Sequence, residues 1–554
     1  MKKTVIAGAL GECVHVAGVS NFLRLAEEAG WRTIFLGPAT PIETFIETAR
    51  QERARLGKED SLLIGVSYRL TPETGERLLG EFAEEAAELH ASGVRFAFAG
   101  TPPVAERVEK LAFFEAIFNG IESPEQVLAY LKGQKIKNLT EIDFPQRATE
   151  RIEWRSPYPI LRHHFGLPTM EATIEGIQKI ADAQALDLIS LGTDQDAQEN
   201  FFHPERQDPR RTGAGGVPVR TPYDFIKLYE ASRCGNFPML RAYSGTDDFI
   251  RYAEVLTDTI HNAWCAIPLF WFNQMDGRGP WDLEGSIREH QQVMAWYGER
   301  GIPVELNEPH HWGMRDAPDV IFVVSAFLSA YNARKFGVQD YIAQMMFNSP
   351  PGTTDAMDLA KMLAVLEMII PLSVRDQGTG KPFRIWKQTR IGLLSHPVDP
   401  DAARGHLAAS TYLQMALHPH VYHIVGHTEA HHAATADDVI EASKIVRRAI
   451  QNSMGAPNMI RSSDVQARKE VLLREARITL RAIQNVAGPG VTDPWADAAT
   501  LAKAVTEGIL DAPQLINNKF GKGAIRTRVV NGACEAVDSS GKVLSENQRL
   551  SKWV

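Results

Sequence analysis

Short apolar runs and helical patterns alternate along the first 135 residues of the chain. Thr4–Ala7, Thr33–Leu36, Ser61–Val66, Val94–Ala99 and Phe114–Phe118 are almost purely apolar, as strands covered by helices on both faces should be. A helical pattern follows each run. The stretch therefore predicts five βα units in a flavodoxin-like, doubly wound parallel sheet, with ligands at the carboxyl ends of the strands.

The same alternation continues with longer helices after a polar, charged stretch that ends near Pro159. Seven further runs predict strands, and we expect an eighth that the pattern does not locate. This series predicts a (β/α)8 TIM barrel with its active site on the loops that follow the strands. The seven runs are Leu186–Leu191, Pro238–Ala242, Ala263–Phe270, Pro303–Leu306, Ile342–Phe347, Arg384–Thr389 and Val421–Val425.

Length and composition divide the chain and exclude some classes of partner. We expect a sheet domain at 1–135, a linker at 136–159, a barrel at 160–483 and a C-terminal segment at 484–554 with a hairpin-like stretch. The net charge of −9 argues against a broad nucleic-acid or anionic-membrane surface. The longest apolar run, 263–272, is about half the length that crosses a bilayer.

The four cysteines are scattered and form no CxxC pair. This argues against a thiolate zinc cluster and a disulfide framework, and it indicates a reducing cytoplasm. The N-terminus has no long apolar region and predicts a first strand rather than a signal peptide. We expect a cytoplasmic homodimer.

Polar and small residues follow three predicted strands of the first domain. His15 and Gly18 form a His-x-x-Gly motif after the first strand, Ser67 follows the third, and Gly100-Thr101 follow the fourth. A histidine on the first βα loop can project above the sheet, and the glycines leave room for a long ligand tail between sheet and helix. The alternative is a solvent-facing loop histidine beside two ordinary turn glycines.

Together these residues resemble the cobalamin-binding domain of B12-dependent mutases and methyltransferases. That family carries Asp-x-His-x-x-Gly, Ser-x-Leu and Gly-Gly on the same three loops. The resemblance implies that His15 is the lower axial ligand of cobalt. It also implies that Gly18, Ser67 and Gly100 line a slot for the cofactor tail, with Thr101 beside them.

Three positions depart from the family pattern. Cys13 stands where the family has the aspartate that orients the histidine, Arg69 stands at the leucine, and Ala99 stands at the first glycine. A ligating imidazole normally has an acceptor on its other nitrogen. Glu12 is one candidate for that acceptor, although its spacing is off by one residue.

Arginines near the predicted strand ends of the barrel favour an acidic substrate, because a guanidinium group binds a carboxylate through two hydrogen bonds. Each of them alone has a second interpretation as a surface ion-pair partner. Further polar and aromatic residues are predicted to face the same cavity or to wall it from water. The arginines are Arg220, Arg241, Arg278, Arg315 and Arg390, and the other residues are Asn273, Gln274, Glu308, His310, His311, Asn348, Trp271, Phe272 and Trp312.

Two further motifs have open interpretations. The loop Gly213–Gly216 is dense in backbone N–H groups and arginine, as an anion site would be, but it lacks the lysine and spacing of a P-loop. The cluster His427, His431 and His432 could hold a metal, because positions four apart share a helix face. Polar residues of the barrel mouth are the alternative.

A cobalamin domain joined to a barrel occurs in two chemistries. Corrinoid domains of methyltransferases typically carry a helical cap before the sheet, and thiol-methylating barrels use cysteine-bound zinc. Here the first predicted strand starts at Thr4 and the cysteines are scattered. Both features favour an adenosylcobalamin-dependent radical mutase that rearranges the carbon skeleton of a small carboxylic or amino acid. A cobalamin-dependent methyltransferase and a non-catalytic cobalamin carrier or sensor are the alternatives.

The order of the domains, with the sheet before the barrel, resembles the glutamate mutase and methyleneglutarate mutase group. In that group arginines hold the substrate carboxylates and a glutamate lies near the migrating centre. The resemblance implies a substrate-binding role for Arg241, Arg278 and Arg315 and a catalytic role for Glu308. From their predicted positions at the barrel mouth we also expect Arg220 to bind the substrate and His310 and Asn348 to be catalytic.

Overall fold

A computed structural model describes residues 2–57, 59–120, 122, 124–134, 140–373 and 382–554. Its internal contacts divide the chain into two compact units, Met1–Asp143 and Phe144–Val554. The predicted border between sheet domain and linker falls beside residues 135–139, which lie outside the described ranges, and it stays a prediction. Among the described residues, no helix has both the length and the apolar character needed to span a membrane.

The bounds of the main elements follow. The strands are β1 Lys3–Leu10, β2 Arg32–Thr40, β3 Ser61–Tyr68, β4 Arg95–Gly100, β5 Ala116–Phe118, β6 Ile160–Phe165, β7 Leu188–Leu191, β8 Met239–Ala242, β9 Cys265–Ile267, β10 Val304–Leu306, β11 Asp340–Phe347, β12 Arg384–Ile391, β13 Val421–Ile424, β14 Thr527–Val530 and β15 Ala533–Ala536. The helices are α1 Ala17–Glu28, α2 Ile42–Arg55, α3 Pro72–Glu85, α4 Ala87–Ala91, α5 Pro102–Glu109, α6 Pro124–Leu131, α7 Ala148–Arg155, α8 Met170–Asp182, α9 Gln195–Glu199, α10 Pro222–Ala231, α11 Phe249–Ile260, α12 Leu283–Glu299, α13 Glu308–Gly313, α14 Asp319–Lys335, α15 Asp355–Ile369, α16 Pro400–Gln414, α17 Ala436–Ser453, α18 Ser463–Asn485, α19 Ala498–Thr506 and α20 Glu546–Arg549.

The first unit is built on a five-stranded parallel sheet with the order β2-β1-β3-β4-β5. Successive residues of β1 point to opposite faces, so Val5 and Ala7 pack with residues of α1 and α6, while Ile6 packs with residues of α2 and α3. Helices therefore bury both faces, which explains why the strands are apolar throughout. The prediction of an α/β unit with five parallel strands is confirmed.

The second unit is built on eight parallel strands in a nearly closed barrel. The hydrogen-bonded order is β8-β7-β6-β13-β12-β11-β10-β9, which is the order of the chain once β6 and β13 are paired. Between the two outer strands, the Ala263 N–H donates to the Leu240 carbonyl at 2.9 Å. The prediction of an α/β barrel is confirmed at this level, and the seven predicted strands correspond to β7–β13.

The strand that the sequence pattern did not locate is β6, the first of the barrel. Its sequence is Ile-Leu-Arg-His-His-Phe, and all but one of its six residues are buried. Arg162 and two histidines interrupt the apolar run, so the segment lacks the composition of a strand that is covered on both faces. Arg162 is buried because alternate residues of the strand face the barrel interior, a feature that only the folded chain reveals.

The bottom of the barrel is closed by helix α7, which lies inside the predicted linker. Ala148 and Ile152 of this helix belong to one apolar cluster with the lowest inward layer of the strands. That layer comprises Ile160, Leu188, Met239, Trp264, Ile342, Trp386 and Val421. The segment 144–159 is therefore part of the second unit.

The last 70 residues also pack on the second unit. Helix α19 packs on α12 and α18, and α20 packs on α18. The antiparallel hairpin of β14 and β15 turns at Asn531 and Gly532, whose φ angles of 50° and 80° suit the tight turn of a hairpin. Buried Asp319 accepts hydrogen bonds from Lys361, Arg468 and the Cys534 N–H at 3.0 to 3.2 Å, which ties the hairpin to the barrel helices.

Helix α7 provides a test of how the barrel bottom is held. Asp187 is buried, and it accepts hydrogen bonds from Arg155 at 2.8 Å and Arg151 at 3.2 Å. Burial alone raises the pKa of Asp187, but the two arginines outweigh it and bring the pKa to about 2. We expect Asp187→Asn to lower the free energy of unfolding by about 3 kcal/mol, because it leaves buried guanidinium charge without its partner.

The measurement is urea unfolding followed by tryptophan fluorescence, since nine of the ten tryptophans lie in the second unit. Glu150→Gln on the same helix is the control, because the Glu150 side chain is 53% exposed. An Asp187→Asn protein as stable as the Glu150→Gln protein would contradict this account.

Candidate functional site

A carboxylate lies at the centre of the barrel interior. Glu305 on β10 is fully buried and accepts hydrogen bonds from Arg162 at 2.7 Å, Trp264 at 2.7 Å, Gln388 at 2.9 Å and Gln344 at 3.2 Å. These donors come from β6, β11, β12 and the residue before β9. A single carboxylate thus connects strands from most of the barrel circumference.

Electrostatics explain why Glu305 stays ionised so far from water. Burial raises the pKa of a carboxyl group, but Arg162 and then Arg241 stabilise the charged form and bring the pKa of Glu305 to about 2. The nearest Arg241 nitrogen lies 3.6 Å from the Glu305 carboxylate. Glu305 is therefore an anion at neutral pH and shares its charge between two guanidinium groups.

The arginines carry more positive charge than Glu305 can neutralise. Arg162, Arg241 and Arg390 are each at most 1% exposed, and Arg390 interacts electrostatically with both Glu305 and Arg241. Burial lowers the pKa of Arg162 to about 9 and that of Arg390 below its usual value. Glu429, on the loop after β13, also attracts Arg390, so two carboxylates face the three guanidinium groups and leave an excess of one positive charge. Buried charge is costly unless it is paired, so the interior favours an anionic ligand.

Arg241 is the arginine with hydrogen-bonding capacity to spare. Its Nε donates to Ser190 at 3.1 Å, while both terminal nitrogens are buried and make no hydrogen bond with the described residues. The guanidinium carbon lies 4.9 Å from the ring centre of Tyr243 and 5.9 Å from that of Trp264. Two parallel N–H groups between aromatic walls have the geometry that binds a carboxylate.

Several imidazoles share this interior and are uncharged at neutral pH. Burial is the main cause that holds the pKa values of His164, His310, His311 and His423 well below the usual range. Arg162 can only donate, so the nearer His423 nitrogen, Nδ1 at 3.0 Å, accepts and the proton lies on Nε2. Nε2 of His164, Nδ1 of His310 and both nitrogens of His311 are buried without a hydrogen bond to the described residues.

Glu308, one of the predicted catalytic residues, holds a loop. Its carboxylate accepts hydrogen bonds from the N–H groups of Leu269 at 2.6 Å and Phe270 at 3.0 Å, and from the Trp312 indole at 2.6 Å. Burial raises the pKa of Glu308 to about 7 despite these donors. The group fastens the segment after β9 to helix α13, and its near-neutral pKa makes it sensitive to pH.

Two of the predicted substrate arginines are paired within the protein. Arg220 donates to both oxygens of Asp194 at 2.8 and 2.6 Å, and Arg278 donates to Asp276 at 2.7 Å. The Gly213 N–H also donates to Asp194, at 3.0 Å. The glycine-rich loop thus directs donors to the protein's own carboxylate.

The other predicted residues lie along the barrel mouth. Arg315 stacks on Trp271 with its guanidinium carbon 3.9 Å from the ring centre, and it donates to the His311 carbonyl at 3.0 Å. Asn348 accepts from Ser410 at 2.8 Å, and its backbone adopts a φ of 54°. His310 stacks on His311 with ring centres 4.6 Å apart. Of the four assigned arginines, Arg241 is the one that reaches the interior layer around Glu305.

Five members of that layer were not identified from the sequence: Arg162, Glu305, Gln344, Gln388 and His423. Most of the predicted barrel residues follow strands, with Arg241 on β8 and Arg390 on β12 as exceptions, whereas these five lie within strands and point inward at alternate positions. A charged residue inside an otherwise apolar predicted strand, as in Val-Glu-Leu around Glu305, was the available signal.

The first unit holds the residues that carry the family resemblance. His15 is exposed on the loop after β1, and its Nδ1 lies 4.0 Å from the buried Cys13 Sγ. Glu12 accepts a hydrogen bond from the Tyr68 hydroxyl at 3.0 Å. Glu12 therefore pairs with Tyr68 of β3, and the Cys13 sulfur is the group that lies beside the His15 ring.

A narrow slot runs between the sheet and helix α1. Gly18 and Ser67 line it, with Phe22 and small residues of β1, β3 and β4. Its free space is about 20 Å³, enough for about one water molecule. Gly100 and Thr101 are not among the lining residues: a Cβ at Gly100 would lie 2.8 Å from the Tyr68 carbonyl, and Thr101 precedes the first turn of α5.

Comparison with known proteins shows no close relative. No family model matches the chain, and no curated protein matches it. Among solved structures, the chain is similar to a GH138 enzyme targeting pectin rhamnogalacturonan II, with 8% identity and a TM-score of 0.32 over 87% of this chain and 56% of that chain. The chain thus spans about half the length of that protein. A likeness at this TM-score supports no conclusion about fold or function.

The charge balance of the barrel interior predicts opposite effects for two substitutions. Glu305→Gln leaves the buried guanidinium groups without their carboxylate, so we expect the free energy of unfolding to fall by about 3 to 5 kcal/mol. Arg241→Met removes a charge that Glu305 compensates only in part, so we expect stability to stay equal or to rise. Urea unfolding of both variants beside the wild type is the measurement. A loss in Arg241→Met as large as that in Glu305→Gln would contradict the charge excess.

Proposed function

We propose that the chain is an adenosylcobalamin-dependent mutase that rearranges the carbon skeleton of a small carboxylic or amino acid. On this proposal the first unit is a flavodoxin-like cobalamin-binding domain and the second is a (β/α)8 substrate barrel. When bound, the cofactor supplies a carbon radical that takes a hydrogen atom from the substrate and returns one after the rearrangement. On this proposal the chain's own residues bind the cofactor, bind the substrate and exclude water from the site.

The observation that carries the cofactor assignment is the slot beside helix α1. Gly18 and Ser67, two residues that the family resemblance assigns to the cofactor tail, line the same narrow space. A Cβ at Gly65 would lie 3.1 Å from Phe22 and 3.2 Å from Ala7. The β3 side of the slot is therefore too tight for a residue with a side chain. A tail that enters the slot must displace the Phe22 ring, because the free space holds about one water molecule.

His15 has the exposure that a cobalt ligand needs. The loop after β1 presents its ring at the carboxyl edge of the sheet, where ligands of such sheets bind. Its Nδ1 faces the Cys13 sulfur, and its Nε2 makes no hydrogen bond with the described residues. The donor set therefore fits a lower axial ligand, with a thiol in place of the acidic partner that usually orients such an imidazole.

The barrel interior supports an acidic substrate. The two terminal nitrogens of Arg241 can donate in parallel to one carboxylate, and Arg162 and Arg390 add positive charge around it. Glu305 holds the guanidinium groups in place by hydrogen bonding Arg162 and lying 3.6 Å from Arg241. The neutral imidazoles of the interior offer donors and acceptors without adding charge.

The aromatic walls support chemistry that must exclude water. Trp264, Trp271 and Trp312 are fully buried, and the ring centres of Trp271 and Trp312 lie 5.0 Å apart. A carbon radical reacts with whatever it meets, so an enzyme that forms one needs a dry, closely packed cavity. Methyl transfer would also use a dry cavity, so two forms of the cofactor must be compared to distinguish the two chemistries.

Cobalamin binding tests the first half of the proposal. We expect the full chain to bind adenosylcobalamin, and we expect His15→Ala to remove the spectral signature of histidine coordination. Gly18→Leu should weaken binding at least tenfold, because Gly18 lines the slot at an exposed position and a leucine side chain there obstructs the entry of the tail. A Cβ at Gly18 meets no atom within 4 Å, and a residue other than glycine strengthens a helix, so the variant should fold.

Absorption titration of the purified chain is the measurement. Gly80→Leu is the matched control, because Gly80 also lies in a helix and a Cβ there also meets no atom within 4 Å. An unchanged cobalamin affinity in Gly18→Leu would contradict the assignment of Gly18 to the slot. An unchanged spectrum in His15→Ala would contradict the assignment of His15 as the cobalt ligand. Binding of methylcobalamin followed by demethylation with an acceptor, without any need for the adenosyl group, would favour the methyltransferase instead.

Carboxylate binding tests the second half. We expect Arg241→Met to weaken the binding of small mono- and dicarboxylic acids at least tenfold, because it removes the paired donors from the buried site. Isothermal titration with a panel of such acids measures this, and Arg220→Met serves as control because Arg220 is occupied by Asp194. Equal losses in both variants would mean that Arg241 is not the carboxylate-binding group.

A further inference from the structure

A second cluster of polar groups lies on the loop after β13 and the start of α17, away from the Glu305 layer. His427 comes from the loop, and Asp438 and Glu441 lie three residues apart on α17. One ligand atom from each of these residues lies within 4.8 Å of the others. The imidazole and the two carboxylates thus converge on one point.

Hydrogen bonds hold both carboxylates in place. Asp438 Oδ2 accepts hydrogen bonds from the Thr435 N–H at 2.9 Å, the Thr435 hydroxyl at 2.6 Å and His432 at 3.1 Å, and Oδ1 makes no hydrogen bond with the described residues. Glu441 Oε1 accepts from Arg404 Nε at 2.6 Å, and Oε2 accepts a longer hydrogen bond from a second Arg404 nitrogen at 3.4 Å and lies 3.6 Å from His427 Nε2. Asp438 Oδ1 and Glu441 Oε2 are therefore the oxygens with capacity for a further ligand.

His427 is the observation that points to a ligand. It is 4% exposed, its Nδ1 is buried without a hydrogen bond to the described residues, and its Nε2 lies 3.6 Å from a carboxylate oxygen of Glu441. A buried imidazole that leaves a ring nitrogen without a hydrogen bond and faces two carboxylates is unusual unless something binds between them.

We propose that His427, Asp438 and Glu441 form a binding site for a divalent first-row transition metal such as Zn²⁺. An imidazole nitrogen and carboxylate oxygens are ordinary ligands of Zn²⁺, whereas Mg²⁺ and Ca²⁺ prefer oxygen alone. Ligand atoms about 2.1 Å from a tetrahedral ion are about 3.4 Å apart, close to the 3.6 Å between His427 and Glu441. Three protein ligands leave a fourth position for water or a small ligand.

The surroundings fit this assignment. Arg404 and Thr435 act as the outer partners that orient the two carboxylates. A cavity of about 360 Å³, lined by His163, His431 and His432 among others, adjoins the loop that carries His427. The metal would fasten this loop to the first turns of α17, beside the mouth of the barrel.

Zn²⁺ titration of the full chain tests the site. The protein is first freed of metal with a chelator and is kept free of cobalamin, so that bound zinc is counted separately from cobalt. We expect one equivalent of Zn²⁺ to bind in the micromolar range or tighter, and we expect His427→Gln and Glu441→Gln each to weaken it at least tenfold. We also expect Zn²⁺ to raise the thermal unfolding midpoint of the wild type and not that of His427→Gln.

Two controls make the outcome decisive. Asp248→Asn alters a partly exposed group of His203, Asp247 and Asp248 that could also attract a cation, and it should leave the Zn²⁺ affinity unchanged. His418→Gln removes an exposed histidine outside the cluster and should also change nothing. The site would be overturned if the wild type bound Zn²⁺ with a dissociation constant above about 100 µM, which corresponds to a binding free energy of only about 5.5 kcal/mol. It would also be overturned if Asp248→Asn lost Zn²⁺ affinity and His427→Gln did not. Mg²⁺ or Ca²⁺ binding as tight as that of Zn²⁺ would overturn the choice of metal.

Glu441 keeps the test falsifiable if His427→Gln fails to fold. The Glu441 side chain is 42% exposed, so its amide variant has little effect on the core. If Glu441→Gln folds and binds Zn²⁺ as the wild type does, the proposal fails. This result would be independent of cobalamin binding, since His427 takes no part in the cofactor slot.

Discussion

The carboxylate of Glu305 is the constraint on which the barrel interior depends. It lies where no water solvates it, so every one of its contacts must come from the protein. Arg162, Trp264, Gln344 and Gln388 supply them from separate parts of the barrel wall. Removing this one anion would leave buried cations facing each other. Glu305 therefore stabilises the inward side chains of the strands that it connects.

The same constraint explains why the interior is suited to an acid. Glu305 carries a single negative charge, and three guanidinium groups are buried around it. A packed barrel could have used apolar side chains at these positions, as it does in the layer around Trp264 and Trp386 below. Unpaired positive charge in a buried layer lowers the stability of the fold. A site that binds an anion gives a physical reason for keeping that charge. Arg241, with two free terminal nitrogens, is where that anion would bind.

The two units place their candidate functional groups by different means. In the first unit His15 lies on the loop after β1 and Ser67 near the carboxyl end of β3, so both could be recognised from their position relative to a predicted strand. In the barrel the decisive groups lie inside strands, so Arg162 and Glu305 were hidden in what looked like interrupted apolar runs. Arg220 and Arg278 were selected by position, and Asp194 and Asp276 proved to be their partners.

Hydrophobic alternation by itself determined the α/β class, the five parallel strands of the first unit and seven of the eight barrel strands. It did so because burial on both faces of a strand requires a local run of apolar residues. The tertiary structure alone decided which polar residues meet inside the barrel, that β6 is a strand and that α7 closes the bottom. Those outcomes depend on contacts between residues such as Arg162 and Glu305, which are 143 positions apart. A local sequence pattern cannot predict such a pair, because the closed barrel, and not the distance along the sequence, determines which residue lies beside a buried charge.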